Sequence, residues 1–452
     1  MEEVKTFELT REFADSLKQA IEQGNNDFII QSLNGVNSAD ITETLEEFTT
    51  DESKHILNLL DTQIAAEVIS GLEEDTRKRF LRVFEPEEIA GYIDYIDSDD
   101  AADILNEVAP KAREEVISSI ESSEKAEHIV DLMRYDEDVA GGIMAKELIK
   151  ANINWTVEQT TEEIRNQAEN VTKIFSVYVV DDQNKLLGIV SLKKMLLARR
   201  GTLIKDIYEE DVISVKTYDE EEEVVAIMKK YDLEAVPVVN MQNKLMGRIT
   251  IDDIVDVMTE QAEEERQLMA GISEDVEEDD SVWMLTRARI PWLVIGLVGS
   301  FFGAEVIGLF ENEIAVIPIM ASFIPLITAT GGNVAIQSSS IVVQTLANKS
   351  AFRDSAIRRL IKVILVALLN GILLALLAFA ISYFRRGDLD VSIIVATALT
   401  CVVILASLSG TITPIILDKM GINPAAASGP FITTVNDILG LAVYFTVAYL
   451  LF

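Results

Sequence analysis

Charged and apolar residues are segregated along this chain, and that segregation restricts its fold more than any other feature. Residues 281–452 carry only 8 acidic and 10 basic residues, a net charge of +2, and contain five long apolar segments. Each segment supplies the roughly 20 residues that a membrane-spanning helix requires. Their approximate bounds are 290–310, 315–345, 356–384, 391–417 and 428–452. The sequence therefore predicts a membrane domain of five spanning helices.

The first 280 residues have the opposite character. They carry 67 acidic and 28 basic residues, a net charge of −39, which predicts an acidic soluble part. A chain with a net charge of −37 repels nucleic acid phosphates, so we expect no nucleic acid partner. Cys401 is the only cysteine, which excludes a disulfide within the chain. The first residues, MEEVKTFELTREFADSL, lack a basic stretch followed by an apolar core, so we expect no signal peptide.

The residues that carry most enzyme chemistry are missing from the sequence. His55 and His128 are too few and too far apart for a zinc site or a histidine-centred triad. The chain contains no phosphate-binding loop and no Gly-x-Ser-x-Gly motif. We therefore predict that the protein is not an enzyme.

The soluble part divides into two blocks. Residues 1–135 show short segments with apolar residues at three- and four-residue spacing, which predicts an all-α domain of stacked helix pairs. Ser98, Asp99 and Asp100 are candidate N-caps. Residues 136–262 contain a repeat: residues 176–191 return as residues 235–250 with eight identities, in a strand–turn–strand–helix pattern. This α/β repeat resembles a tandem pair of CBS domains, a regulatory module that often binds adenine nucleotides.

The membrane domain is expected to have its basic loops inside the cell. Arg287 and Arg289 precede the first segment, and Lys419 lies between the fourth and fifth. The positive-inside rule then places the acidic part in the cytoplasm and the end of the fifth span outside. Within the second segment, Pro325 and the pair Gly331-Gly332 predict a broken helix, which membranes tolerate where the backbone faces protein or water.

Asp437 is the residue of the membrane domain that most strongly suggests a function. A carboxylate at that depth costs at least ~2.5–3.5 kcal/mol on insertion scales, so it needs water or a positive partner. Bases are scarce away from the membrane interfaces, which makes a permeating cation the natural partner. Thr433 lies one helical turn away, and Gly429 with Pro430 is expected to open the helix and free carbonyl oxygens. A structural aspartate bonded to a neighbouring helix is the alternative.

The second segment adds hydroxyl, amide and backbone groups that suit a hydrated ion. These are Pro325, Thr328, Thr330, Gly331, Gly332, Asn333, Gln337 and Ser338. Carboxylate and neutral oxygen without thiolate or imidazole indicate a hard cation. Mg²⁺ keeps its water and is often held by one or two carboxylates, although this chemistry leaves Ca²⁺, Mn²⁺ and Na⁺ open.

Together these features resemble the MgtE family of bacterial magnesium channels over nearly the whole chain. The most specific motifs are Pro325-Leu326 through Gly332-Asn333 and Ser428-Gly429-Pro430-Phe431 through Asp437. The resemblance implies a homodimer in the cell membrane, with a pore on the dimer axis lined by the second and fifth spans. It implies that Asp437 binds hydrated Mg²⁺ and that Thr433 contributes a backbone oxygen. The implied ion path also includes Gly332, Asn333, Ser428 and Gly429.

The resemblance also implies regulation by cytosolic Mg²⁺. Metal ions bound between the acidic domain and the CBS pair would close the pore through a connecting helix, residues 263–284, that precedes the pore domain at 285–452. Close packing of so many acids otherwise causes strong repulsion, which is consistent with this scheme. The implied regulatory residues are Glu67, Asp99, Asp103, Gly141, Glu222, Lys229, Asp232, Asp253, Asp256, Glu264 and Glu265.

Nucleotide binding is an open question in the sequence. CBS domains that bind adenosine phosphates favour Ser/Thr-x-x-Asp after the last strand. The second repeat keeps this pattern at Thr250 and Asp253, whereas the first has Lys194 in place of the acid. We therefore predict a Mg²⁺ channel without a definite role for ATP. The alternative is a CBS-regulated channel or carrier for another divalent cation, such as Co²⁺, Mn²⁺ or Ca²⁺.

Overall fold

The computed structural model describes residues 9–167, 174–274, 276, 281–316, 318–347, 356–427 and 429–451. The chain forms two compact units, Met1–Met258 and Thr259–Phe452. The first unit contains the helical domain and the α/β repeat, and the second contains the apolar helices. This architecture confirms the predicted fold class.

The helical domain is a stack of short helices. Several of them begin with residues that favour a helix start. Thr49 and Glu52 form a reciprocal capping box, and Pro86 occupies the first position of its helix. Within residues 9–135 the helices are α1 Arg11–Gln23, α2 Asn26–Leu33, α3 Ser38–Leu45, α4 Thr50–Leu57, α5 Thr62–Ser70, α6 Glu74–Leu81, α7 Pro86–Ile93, α8 Ser98–Glu107, α9 Pro110–Ser119 and α10 Ser123–Leu132. Helix α3 packs on α5, α5 on α7, α7 on α9 and α8 on α10, as expected for a superhelix.

The repeat forms two small sheets with the same topology. The first contains β1 Lys150–Asn152, β2 Val177–Val180 and β3 Leu186–Val190, and the second contains β4 Val215–Lys216, β5 Ala235–Val239 and β6 Leu245–Thr250. In each sheet the first two strands are parallel and the last two antiparallel. The helices of this region are α11 Val157–Gln167, α12 Leu192–Leu197, α13 Glu221–Tyr231 and α14 Ile251–Ala270.

The matching turns of the two repeats bind each other. Asn184 and Asn243 both adopt left-handed backbone conformations, with φ of 61° and 62°. The Asn184 side chain donates to the Leu245 carbonyl at 3.0 Å, and the Asn243 side chain donates to the Leu186 carbonyl at 3.2 Å. The asparagine identity between the repeats is therefore explained by a reciprocal contact that pairs them.

Helix α14 differs from the predicted connecting helix. It runs without interruption from the second repeat to Ala270 and ends at Gly271, whose φ is +82°. The described residues between Gly271 and Ser281 are not helical. A left-handed glycine stops a helix because it turns the chain away from the helical path. The prediction of one helix across residues 263–284 is therefore wrong in its second half.

In the second unit, five helices among the described residues are long and apolar enough to span a membrane, which confirms the five predicted spans. Helix α19 is the most buried of them and packs on α17, α18 and α20, while α15 packs on α20. The helices are α15 Val282–Leu309, α16 Glu311–Val316, α17 Ile324–Ala347, α18 Ala356–Arg386, α19 Leu389–Lys419 and α20 Pro430–Leu451, with 3-10 turns at Pro318–Phe323 and Pro424–Ala427.

The predicted break in the second segment is not at the glycines. The chain changes from a 3-10 turn to α17 at Ile324, so Pro325 lies in the first helical turn, where proline is tolerated. Helix α17 continues through Gly331 and Gly332. A Cβ at Gly331 would lie 3.0 Å from Val402 Cγ1, and one at Gly332 would lie 3.2 Å from Thr433 Cγ2. The two glycines permit close helix packing and do not interrupt the helix.

The contact between α15 and α20 leads to a stability prediction. A Cβ at Gly299 would lie 1.7 Å from Thr434 Cγ2, and the Thr434 side chain is held by its 2.7 Å hydrogen bond to the Pro430 carbonyl. We expect Gly299→Ala to destabilise the membrane unit by about 1–3 kcal/mol through overpacking. Gly296→Ala is the matched control, since a Cβ there meets nothing within 4 Å. Thermal unfolding in detergent should separate the two variants, and equal midpoints would contradict the packing argument.

Candidate functional site

The Asp437 carboxylate lies between α20 and α17. It is partly buried, and its Oδ1 atom lies 3.9 Å from the position of a Cβ at Gly332. Among the described residues, no basic side chain or hydrogen-bond donor contacts this carboxylate. The described residues therefore leave the charge of Asp437 uncompensated, which is the condition expected of a group that binds a cation or water.

The other predicted residues of the ion path lie on the same two helices. Thr433 is one turn before Asp437, and Gly332 faces both of them across the helix contact. Asn333 follows Gly332 but points to the exposed side of α17. Ser428 lies outside the described residues.

Gly429 and Pro430 do not free carbonyl oxygens as predicted. Helix α20 begins at Pro430, and the Gly429 carbonyl accepts hydrogen bonds from the Thr433 amide at 3.4 Å and the Thr433 hydroxyl at 3.3 Å. Proline has no backbone N–H, so at the first position of α20 it leaves no donor without a hydrogen-bond acceptor. Close packing explains Gly429 instead: a Cβ there would lie 2.6 Å from the Met269 carbonyl oxygen at the end of α14.

Helix α17 has an exposed polar stripe. Thr330 is half-buried, and Asn333 and Gln337 are exposed. The spacing of three and four residues places these three side chains on one face of the helix. Amide groups facing lipid would lack hydrogen-bond partners at a cost of several kcal/mol each, so such a face requires water or protein against it.

Several polar groups in this region were not singled out from the sequence. Asn436 precedes Asp437 and is only 3% exposed, and it bonds to Ser409 of α19. Its position beside Asp437 was a signal, but its contact with α19 depends on the packing of two distant segments. Glu305 is a second acid within a span, exposed and four residues before the end of α15.

The end of α14 packs on the start of α20. A Cβ at Gly271 would lie 2.5 Å from Pro430 Cγ, so only glycine fits at this contact. The following turn is held to α15, because the Ser273 amide and hydroxyl both donate to the Ala288 carbonyl, at 2.9 and 3.1 Å. Arg287 pairs with Glu274 at 3.0 Å. The chain after α14 is thus anchored at the ends of two spanning helices.

An acidic cluster joins α8 and the start of α14 in the first unit. Burial raises the pKa of Asp99 well above its ordinary value, and the charges of Asp100, Asp253 and Asp97 raise it further. The pKa of Asp100 is also raised, mainly by burial, and the charges of Asp256 and Asp252 raise it further. The structure therefore brings together the predicted residues Asp99, Asp253 and Asp256.

Glu147 holds α8 in this arrangement. Its Oε2 atom accepts hydrogen bonds from the Ser98 amide at 3.1 Å and the Ser98 hydroxyl at 2.8 Å. Asp97, and not Ser98, is the N-cap residue, and its side chain makes no capping bond. The prediction that Ser98, Asp99 or Asp100 caps α8 is therefore wrong. The carboxylate of Glu147, 49 residues along the chain, accepts the hydrogen bonds at the start of the helix in place of a local side chain. Asp97 instead pairs with the buried Arg248 of β6 at 3.4 Å.

Of the remaining predicted regulatory residues, Asp103 borders this cluster, and the others lie elsewhere in the first unit or in the second unit. Asp103 is on α8 near Asp100 and Arg77. Buried Gly141 packs on the Tyr135 ring. The other members are exposed or partly exposed: Glu67 on α5, Glu222 and Lys229 on α13, Asp232 at the end of α13, and Glu264 and Glu265 on the part of α14 in the second unit. No group of three or more His, Cys, Asp or Glu side chains in the described residues is arranged to hold a metal ion.

The two positions expected to bind a nucleotide differ in the structure. Asp253 Oδ2 accepts hydrogen bonds from the Thr250 amide at 2.8 Å and the Thr250 hydroxyl at 2.9 Å, so this oxygen caps α14. In the first repeat, Lys194 pairs with Glu209 at 2.9 Å. The first repeat therefore places a lysine, and not a carboxylate, where ribose hydroxyls would bind.

The acidic cluster predicts a pH effect. Burial raises the pKa of Asp97 and of Asp253 to about 6, although Arg248 and the Thr250 bonds act in the opposite direction. The folded state then holds more protons than the unfolded state between about pH 4 and pH 6, so the stability of the first unit rises as pH falls through that range. Without divalent ions, we expect a higher thermal midpoint at pH 5.5 than at pH 8. Asp97→Asn should reduce that difference, and an unchanged difference would contradict the assignment.

Three family models match the chain. The divalent cation transporter model MgtE matches residues 324–447, the MgtE intracellular N domain matches residues 36–138, and the CBS domain matches residues 137–201 and 204–260. These matches cover α17 to α19 with most of α20, the helical stack and the repeat described above.

Characterised relatives are similar over most of the chain. The magnesium transporter MgtE of Enterococcus faecalis is 36% identical over 328 residues, 72% of each chain. The magnesium transporter MgtE of Thermus thermophilus is 30% identical over 459 residues, 98% of this chain and 99% of the relative. The solved cytosolic domain of the Mg²⁺ channel MgtE in complex with ATP is 29% identical with a TM-score of 0.51, and the match covers 54% of this chain and 99% of that one.

Proposed function

Since the chain belongs to the MgtE family of divalent cation transporters, we propose that it conducts Mg²⁺ into the cytoplasm along a path bordered by α17 and α20. The family transports ions and does not catalyse a reaction, in agreement with the sequence analysis. The observation that carries the proposal is the Asp437 carboxylate, which has no basic partner among the described residues. Mg²⁺ retaining its water would bind to this carboxylate through hydrogen bonds and charge.

A second copy of the chain would complete the path. The exposed stripe of Thr330, Asn333 and Gln337 needs water or protein against it. We propose that two α17 helices and two α20 helices enclose an aqueous pore in a homodimer. Each protomer would then contribute one Asp437, and the two charges would attract a dication more strongly than a monovalent ion.

We propose that cytosolic Mg²⁺ closes this path. Ions bound near Asp99, Asp253 and Asp256 would reduce the repulsion within the acidic cluster and favour close packing of α8 on α14. Helix α14 continues to Gly271, which packs on Pro430 at the start of α20. A shift of α14 would therefore act directly on a pore helix. Mg²⁺ is the regulator in this proposal, which assigns no role to ATP.

The orientation follows from basic residues. Arg287, Arg289 and Lys419 lie at the ends of α15 and α19 that we place in the cytoplasm, in the cell membrane of a bacterium. The acidic first unit is then cytoplasmic, and the last residue of α20 lies outside.

Ion flux through the purified protein tests the proposal. Reconstituted liposomes containing a Mg²⁺-sensitive dye should show saturable Mg²⁺ uptake, whereas protein-free liposomes should not. Ca²⁺, Mn²⁺ and Co²⁺ should each be tested as permeant ions and as competitors. A larger flux of Co²⁺ or Mn²⁺ than of Mg²⁺ at equal concentration would favour the alternative of a channel for another divalent ion, and no flux would reject the transport function.

A further inference from the structure

A buried hydrogen bond links α19 to α20 immediately beside Asp437. The Ser409 hydroxyl lies 2.9 Å from Asn436 Oδ1, and the Asn436 side-chain amide donates to the Ile432 carbonyl at 2.9 Å. The Ser409 hydroxyl also lies 3.1 Å from the Ala406 carbonyl, so it has two acceptors for one hydrogen. Asn436 is 3% exposed, and both ends of its amide group are hydrogen-bonded within the protein.

This bond fixes the rotation of α20 about its own axis. Consecutive residues of an α-helix differ by about 100° in direction. With Asn436 directed to Ser409 on α19, Asp437 is directed to the neighbouring α17, where Gly332 makes room for it. A rotation of α20 that broke the bond would also move the carboxylate away from Gly332.

Close to Asp437, the other described contacts of α20 with α17 and α19 are apolar or between backbones, and the Tyr444 hydroxyl, seven residues further along α20, donates to the Met320 carbonyl at 2.8 Å. Gly410, next to Ser409, packs on the backbone of α17: a Cβ there would lie 2.4 Å from the Ala335 carbonyl oxygen. Ile432, one turn before Asn436, is fully buried with Ala335 and Ala406. Apolar contacts of this kind tolerate small rotations, whereas a hydrogen bond in a low-dielectric interior constrains direction.

We infer that Ser409 and Asn436 are positioning residues that set the direction of the Asp437 carboxylate in the ion path. The inference rests on the proposed function and extends it to two residues that do not contact the ion. It gives a physical reason for an amide and a hydroxyl at a helix contact where apolar side chains would pack equally well.

A double-mutant cycle in Mg²⁺ uptake tests the pair. Asn436→Leu keeps the side-chain size and removes the hydrogen bond, and Ser409→Ala removes its partner. Each variant should raise the half-saturating Mg²⁺ concentration by about three- to tenfold, the range that one ordinary hydrogen bond sustains. The double variant should be no worse than the single variants, because all three lack the same bond.

Ser382→Ala is the matched control. Ser382 is 4% exposed, and its hydroxyl lies 3.1 Å from that of buried Ser392, at the contact between α18 and α19. Its loss should lower thermal stability to a similar degree and leave the half-saturating concentration unchanged. If the control shifts that concentration equally, or if the effects of the pair are additive, the positioning role is rejected.

A chemical readout separates this inference from the proposed transport. In an Asp437→Cys variant that also carries Cys401→Ser, a charged thiol reagent reports whether position 437 reaches water. Adding Asn436→Leu should lower the labelling rate at least about threefold, in line with the loss of one hydrogen bond. An unchanged rate would overturn the positioning role even if the protein conducts no Mg²⁺. If Asn436→Leu lowers the labelling rate as expected but the wild-type protein conducts no Mg²⁺, only the transport function is rejected.

Discussion

Replacement of Asp437 by alanine should reduce Mg²⁺ uptake in reconstituted liposomes to the level of protein-free liposomes. The residue is the acid that faces α17, and no base among the described residues compensates it. A hydrated dication that enters an apolar membrane region needs such a charge to offset the loss of bulk water. Removal of the carboxylate therefore removes the binding step, and the fold should remain because no described donor depends on it.

Two further substitutions separate charge from shape at this position. Asp437→Asn keeps the size and removes the charge, so uptake should also be lost. Asp437→Glu keeps the charge and should retain partial uptake with a changed half-saturating concentration. Asp418→Ala is the control, because Asp418 is an exposed acid at the end of α19. Wild-type uptake in the Asp437→Asn variant would remove this carboxylate from the mechanism.

Neutralisation of Asp99 should weaken the response of the soluble part to Mg²⁺. Two like charges roughly 8 Å apart repel by about 2 kcal/mol at an effective dielectric constant of about 20. Asp99 is 9% exposed and surrounded by other acids, so its loss should favour close packing of α8 on α14 without metal. At pH 8 and without divalent ions, Asp99→Asn should resist protease longer than the wild type. Because the same change removes a carboxylate of the proposed Mg²⁺ site, millimolar Mg²⁺ should add little further protection.

The control for this experiment is Asp15→Asn. Asp15 is an exposed acid on α1, and its removal changes the net charge by the same amount. Its protease resistance should depend on Mg²⁺ as the wild type does. If Asp99→Asn keeps the full Mg²⁺ response, metal-linked closure through this cluster is wrong. A parallel uptake assay tests the link to the pore. If the cluster gates the pore, the Asp99→Asn channel should close at a different internal Mg²⁺ concentration from the wild type.

Local sequence patterns predicted the elements of this fold but not how they end or pack. The apolar periodicity predicted the short helices, and the repeat predicted β2 and β3 of one sheet and β5 and β6 of the other, but not the first strand of either sheet. The break at Gly331-Gly332 was wrong, because glycine in a membrane helix can serve close packing as well as interruption. The continuous helix to Ala270 was missed although residues 259–262 contain no glycine or proline, so the sequence did carry a signal for continuity there.

The sequence by itself determined the acidic soluble part, the five spans, the repeat and the buried charge of Asp437, since composition and short-range periodicity are enough for each. Only the tertiary structure decided which polar groups face one another. Glu147 meets Ser98 across 49 residues, and Ser409 meets Asn436 across 27. Such pairs depend on the packing of distant segments, and no local propensity records them, so their roles become visible only when the helices are in place.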